Sequence, residues 1–284
     1  MRHTTRKTNP PRAVWSRPQL MGNCIPSRAE EDAEEEGAYT ALTHVRQSFS
    51  WDCGLACVMM VLQHKGMSAP LEEMMKIAGT KSVWTVDLAY ILSRYSVDFT
   101  FYTVTDGVRP EYGAEAFYKL DIDQDMVRVN KLFETAPQLN IKIDKRSVDV
   151  SEILDCVQRG GMVITLVDKR LLPTGSTIAR LIQQHVAVGF VGHYVIVCGY
   201  NPRTRCVLIT DPACGEGRTP VPVAEYEAAR KAFGTDEDLL LIAPGRGNAR
   251  PPSPNAAADT TIATAAVGPM GMGGVMGGGA TLGG

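Results

Sequence analysis

Long apolar runs are missing from this chain. No stretch approaches the roughly 18 uninterrupted apolar residues of a helix that crosses a membrane, and no basic-then-apolar leader opens it. An excess of charge is missing too: a formal net charge of −2 leaves no electrostatic footprint for nucleic acid, so no nucleic-acid partner is expected. Cysteine is present but unpatterned. Seven thiols, an odd number with no repeated CxxC spacing, argue against a disulfide framework or a zinc ribbon and point to a reducing, cytoplasmic setting with no bound metal. No glycine-rich phosphate loop sits between a strand and a helix, because the tail glycines have neither around them.

What the chain has is unevenly spread. Arg2, Arg6, Lys7, Arg12 and Arg17 open it without an acid, and an acidic run follows over 29–36, so residues 1–37 read as a disordered leader. Residues 246–284 are rich in Gly, Ala and Pro and read as a disordered tail. Between them, 38–245 has the apolar content of one domain. If translation begins at Met21, Gly22 and Cys24 are placed for myristate and palmitate, two chains that would anchor the protein to a membrane where one would not. The usual Ser/Thr of that motif falls on Pro26, with Ser27 one place late. The Arg-rich, acid-poor start also suits a transit peptide.

The centre of the domain is the stretch from Gln47 to Leu62. From Leu55 to Leu62 every side chain is apolar or a thiol, which predicts a wholly buried helix, and His64, Lys65 and Gly66 end it with positive charge and a residue tolerant of positive φ. The helix therefore starts near Cys53. Unpaired N–H groups and the helix dipole favour a thiolate there, so Cys53 reads as a nucleophile, and Cys57, one turn deeper among apolar neighbours, as packing. Gln47, six residues upstream, supplies an amide that can share an oxyanion with the Cys53 N–H. Asp52 reads as a charge on the helix N-terminus.

Further along, helices are predicted over 71–78, 86–95 with Thr85 as cap, 125–136, a segment from Ser151 to Gly160, and 223–233. Strands are predicted over 97–104, 141–143, 162–167, 194–200, 206–210 and 239–243, with 106–124 a loop and 168–192 an insertion or an extended strand pair. Asn201-Pro202-Arg203-Thr204 is a turn, so the strands around it pair as a hairpin that brings His193 beside Asp211. A cysteine hydrolase needs a thiolate, an imidazole, a group that holds the imidazole and an oxyanion donor. Cys53, His193, Asp211 and Gln47 fill those roles. His185 is the alternative imidazole, but no acid lies at hairpin distance from it; His44 and His64 read as surface or helix-end residues. Cys198 and Cys206 read as core packing, and Cys156 and Cys214 have no evident partner.

Gln47, five residues, then a helix-start Cys53 resembles papain-like cysteine peptidases, and Asp52-Cys53-Gly54-Leu55-Ala56-Cys57 resembles their C39-like branch. That resemblance implies an α+β fold with a buried N-terminal helix against an antiparallel sheet, thiol hydrolysis of a peptide or amide bond, and a peptide or protein substrate. A narrower resemblance covers about 40–243. Trp51-Asp52-Cys53-Gly54, Val83-Trp84-Thr85-Val86-Asp87, Gly199-Tyr200-Asn201 and Gly234-Thr235-Asp236-Glu237-Asp238 are similar to the guanylyl-cyclase-domain-containing protein 1 family. Its name implies conversion of GTP to cyclic GMP with Mg or Mn as cofactor, for which Asp121-Ile122-Asp123 and Asp236-Glu237-Asp238 are the available acids; otherwise no cofactor is expected. Acidic clusters of this kind more often lie solvated or cap a helix. A third reading is a non-catalytic adaptor whose papain-like groove binds a peptide.

Overall fold

The computed structural model describes residues 38–115, 122–173, 189–215 and 217–244. The expectations for the leader, the tail, Gly22, Cys24, Asp121 and His185 fall outside these residues. In chain order the elements are β1 (Ala38–Tyr39), α1 (Cys53–His64), α2 (Leu71–Ala78), α3 (Thr85–Arg94), β2 (Phe99–Thr103), α4 (Ile122–Thr135), β3 (Ile143–Lys145), α5 (Val150–Gln158), β4 (Met162–Asp168), β5 (Gly192–Asn201), β6 (Cys206–Thr210), β7 (Thr219–Pro222), α6 (Val223–Arg230) and β8 (Leu239–Ile242). Among the described residues no helix is long and apolar enough to cross a membrane.

The fold is α+β, with one sheet ordered β3-β2-β8-β4-β5-β6-β7 and β1 paired to β5. Every pairing is antiparallel except β2 with β3. Alternation along the strands sorts the core. Met162, Ile164, Tyr194, Ile196 and Cys198 join α1 and α3 on one side; Val163, Val167, Val195 and Val197 join α5 and α6 on the other. With both faces covered, β4 is buried at all seven positions, which is why Met162 to Val167 reads as an apolar run broken only by Thr165. The expected arrangement, a buried helix against an antiparallel sheet, is present: α1 lies on β5 with Leu55, Cys57, Val58, Met60, Val61 and Leu62 inaccessible to solvent.

Several local readings differ. Trp84, not Thr85, precedes α3; Asp87 takes the Trp84 N–H at 2.8 Å, and the Thr85 hydroxyl instead meets the Tyr194 phenol at 2.9 Å. Asp149, not Ser151, caps α5, accepting the Ser151 N–H at 2.8 Å. Helix α4 starts three residues before the expected 125, and residues 110–114 of the expected loop form a 3₁₀ turn. The strand expected over 141–143 lies at 143–145, and α6 stops at Arg230 instead of 233. Within 168–192, Asp168 pairs with Gly192, so β4 and β5 form an extended pair up to that point.

Candidate active site

Helix α1 begins at Cys53, as its composition predicts, and buries that thiol to 6% exposure. Gly54 lets the helix start approach its neighbours: a Cβ there would stand 2.9 Å from Leu88 Cδ1 and 3.0 Å from the Tyr194 ring. On the sheet side, β5 and β6 are joined through the turn at 201–204, with Asn201 Oδ1 accepting the Arg203 and Thr204 N–H groups at 2.9 and 3.2 Å. The ladder slips by one residue between Val197 and Gly199 and then pairs Ile196 with Thr210. Continued outward, that register sets Asp211 diagonally from His193 on the same face.

His193 Nε2 meets Asp211 Oδ1 at 2.6 Å. With Nε2 engaged by the carboxylate, Nδ1 is the ring nitrogen left for another partner. Burial of this imidazole opposes its positive charge, but its hydrogen bond to Asp211 and then the influence of the Cys53 thiol outweigh it and raise the pKa from 6.5 to about 9. Burial likewise opposes the Asp211 anion; His193 and the Ala213 N–H overcome it and lower the carboxyl to about 2. Cys57 is fully buried, and desolvation, reinforced by Cys53 and Asp211, pushes its thiol well upward, in line with a packing role.

The loop before α1 closes the site. Its Thr40 and Gln47 N–H groups donate to Cys198 O at 2.7 Å and Pro212 O at 2.9 Å. Gln47 Nε2 donates to Phe49 O at 2.7 Å, while its Oε1 is buried without a partner, so the carboxamide retains a second N–H. Asp52 stands directly before the helix, where its charge was expected. Its carboxylate makes no bond to the helix start; Oδ2 takes the Ser48 N–H and Oδ1 the Phe49 N–H, each at 2.9 Å.

Sequence reasoning missed two neighbours of Asp211. His44, read as a surface residue, places Nε2 3.0 Å from the Asp211 carbonyl, and Cys214 donates to Asp211 Oδ2 at 3.5 Å. No local pattern marks either residue, although Cys214 follows Asp211 by three positions. His64 sits at a helix end as expected, its Nδ1 3.1 Å from Ala41 O. Cys198 is buried against Leu208 O and Thr210, Cys206 lies at Thr204 O, Cys156 is buried against Ile242 O, and none of them is in a disulfide.

The acids available to a cyclase differ in their settings. Asp123 is exposed on the first turn of α4. Asp236 accepts from the Tyr112 hydroxyl at 2.6 Å and Thr105 Oγ1 at 2.8 Å and pairs with Arg109 at 3.1 Å. Glu237 takes the Ser147 hydroxyl at 2.5 Å. Asp238 is buried among the hydroxyls of Thr103 and Thr85, with Oδ1 unpartnered, and desolvation drives its carboxyl well upward. This cluster is thus neither solvated nor a helix cap. Among the described residues no group of three or more His, Cys, Asp or Glu is arranged to hold a metal ion. A cavity of about 710 Å³ between α4 and β3 includes none of Gln47, Cys53, His193 or Asp211 in its lining.

The model of the guanylylate cyclase family matches residues 42–242. The curated protein "Guanylyl cyclase 1" of Arabidopsis thaliana is 44% identical over 203 residues, covering 70% of this chain and 74% of that one. A solved structure from Bacillus anthracis, named as a C39-like peptidase, aligns over 74% of this chain and 98% of its own at 14% identity, with a TM-score of 0.39.

Proposed function

The chain belongs to the guanylylate cyclase family, and from its site chemistry we propose that it is a thiol hydrolase that cleaves a peptide or amide bond. The observation that carries this reading is a buried imidazole held by a carboxylate at 2.6 Å, with a helix-start thiol close enough to act on the same ring. Cys53 attacks the carbonyl carbon, and His193, charged by the pairing, protonates the departing amine. Asp211 holds the ring and its charge. The Cys53 N–H and the second Gln47 amide proton receive the oxyanion, after which water, deprotonated by His193, releases the acyl group. An electrophilic peptide probe is expected to label wild-type Cys53 and to leave the Cys53→Ala protein unlabelled. Equal labelling of the two proteins sinks the reading.

The family name and the Arabidopsis relative favour a second reading, conversion of GTP to cyclic GMP. It predicts cyclic GMP from GTP with Mg or Mn, lost on Asp236→Asn and retained in Cys53→Ala. The engagement of Asp236 by Tyr112, Thr105 and Arg109 speaks against it.

A further inference from the structure

An aspartate directly before a helix ordinarily turns its carboxylate onto the second or third N–H of that helix, from an extended backbone conformation. Asp52 does otherwise. Its φ of −91° and ψ of 14° lie outside the extended region, and no side-chain cap forms. The carboxylate is 1% exposed and turned back onto the loop, where it holds the Ser48 and Phe49 N–H groups. Phe49 then passes the constraint on, since its carbonyl accepts the Gln47 carboxamide. A single side chain thereby ties the nucleophile's neighbour to the amide of Gln47, and the N–H groups at the start of α1 keep no carboxylate partner from Asp52.

We propose that Asp52 is the positioning residue of the oxyanion site: by binding the loop and not the helix, it sets Gln47 relative to Cys53 and leaves the helix start open to a developing oxyanion. This rests on the thiol-hydrolase reading above. Asp52→Asn keeps the shape but turns one acceptor into an NH₂ group facing a backbone N–H, so one of the two loop bonds is lost.

The test separates attack from oxyanion binding in the full chain. Iodoacetamide alkylates a thiolate by displacing iodide and needs no oxyanion site. A peptide aldehyde, N-acetyl-phenylalanyl-glycinal, does need one: the thiolate adds to its carbonyl carbon, the C=O π electrons move to oxygen, and His193 supplies the proton that completes a hemithioacetal. Alkylation is read at the Cys53 peptide by mass spectrometry, and aldehyde affinity as protection from that alkylation. Asp52→Asn is expected to alkylate within about twofold of wild type while binding the aldehyde about tenfold or more weakly, as fits a displaced oxyanion donor. Gln47→Ala is expected to lose similar affinity, and the double variant little more, because both changes remove the same donor. Unchanged aldehyde affinity, an equal fall in alkylation, or additive losses overturn the proposal. If the Asn variant does not fold, Asp52→Glu, which keeps both oxygens but displaces them by one methylene, is read in the same way. Failure of the underlying reading looks different: wild-type Cys53 would then alkylate no faster than Cys53 in a His193→Gln variant.

Discussion

At the scale of single residues, the pair His193 and Asp211 governs both reactivity and its dependence on pH. The folded imidazole titrates near 9 instead of 6.5, so its stabilisation is complete below 6.5 and is lost as pH rises through about 9. The folded carboxyl titrates near 2 instead of 3.8, so its contribution is complete above 3.8 and is lost as pH falls through about 2. Thermal melts of wild type and His193→Gln are therefore expected to differ most between those inner limits and to converge outside the outer ones; a difference independent of pH would contradict the charged pair. Asp211→Asn removes the charge that overcomes burial of the ring, and probe labelling of Cys53 is expected to fall by about two orders of magnitude or more. The helix start at Cys53 and the approach of His193 to Asp211 were legible because a helix-start signal and a hairpin turn each act locally. His44 and Cys214 were not, because their contacts to Asp211 depend on where a loop and a turn settle in the finished fold. The direction of the Asp52 carboxylate was not legible, because an adjacent helix and an upstream loop offer it equivalent N–H donors.

At the scale of elements, α1 was readable because it has no polar stripe, whereas the caps of α3 and α5 were not, since Thr85 and Ser151 are as suited to capping as Trp84 is unsuited. At α3 a tertiary contact decided, the Thr85 hydroxyl being drawn to Tyr194; at α5 the cap is local, Asp149 standing two residues before Ser151 and accepting its N–H. The short β3 was displaced because a three-residue strand carries little pattern, and its parallel pairing with β2 is set by the intervening α4. Helices α3 and α4 are locked by Arg128, which binds Asp87 at 2.5 Å and Asp125 at 3.0 Å, both carboxylates being buried. Arg128→Gln leaves those two anions without their cation and is expected to cost about 3 kcal/mol in urea denaturation. Gly54→Ala crowds Leu88 and a Tyr194 ring whose hydroxyl is held by Thr85, so overpacking of about 1–3 kcal/mol is expected to exceed the helical preference for alanine. Slower probe labelling should accompany it, because the crowding presses α1 away from β5.

At the scale of the whole described fold, one sheet separates two cores, and the site lies where α1 meets the β5–β6 hairpin. Its outer strand β7 carries Pro220 and Pro222, which lack the N–H a foreign strand would seek. The Pro220→Thr, Pro222→Thr double variant is expected to self-associate more at high concentration, measured by light scattering. The α+β class was legible from composition and periodicity, but the strand order was not, because pairing partners distant in sequence leave no local trace. One such strand is β8, the last of those described, which is inserted between β2 and β4 near the middle of the sheet. A nascent chain still on the ribosome thus carries two half-sheets with a gap between them. Only when residues 239–242 emerge can that gap close, so the sheet beneath the thiol and the imidazole is joined into one after all its other described strands have been made.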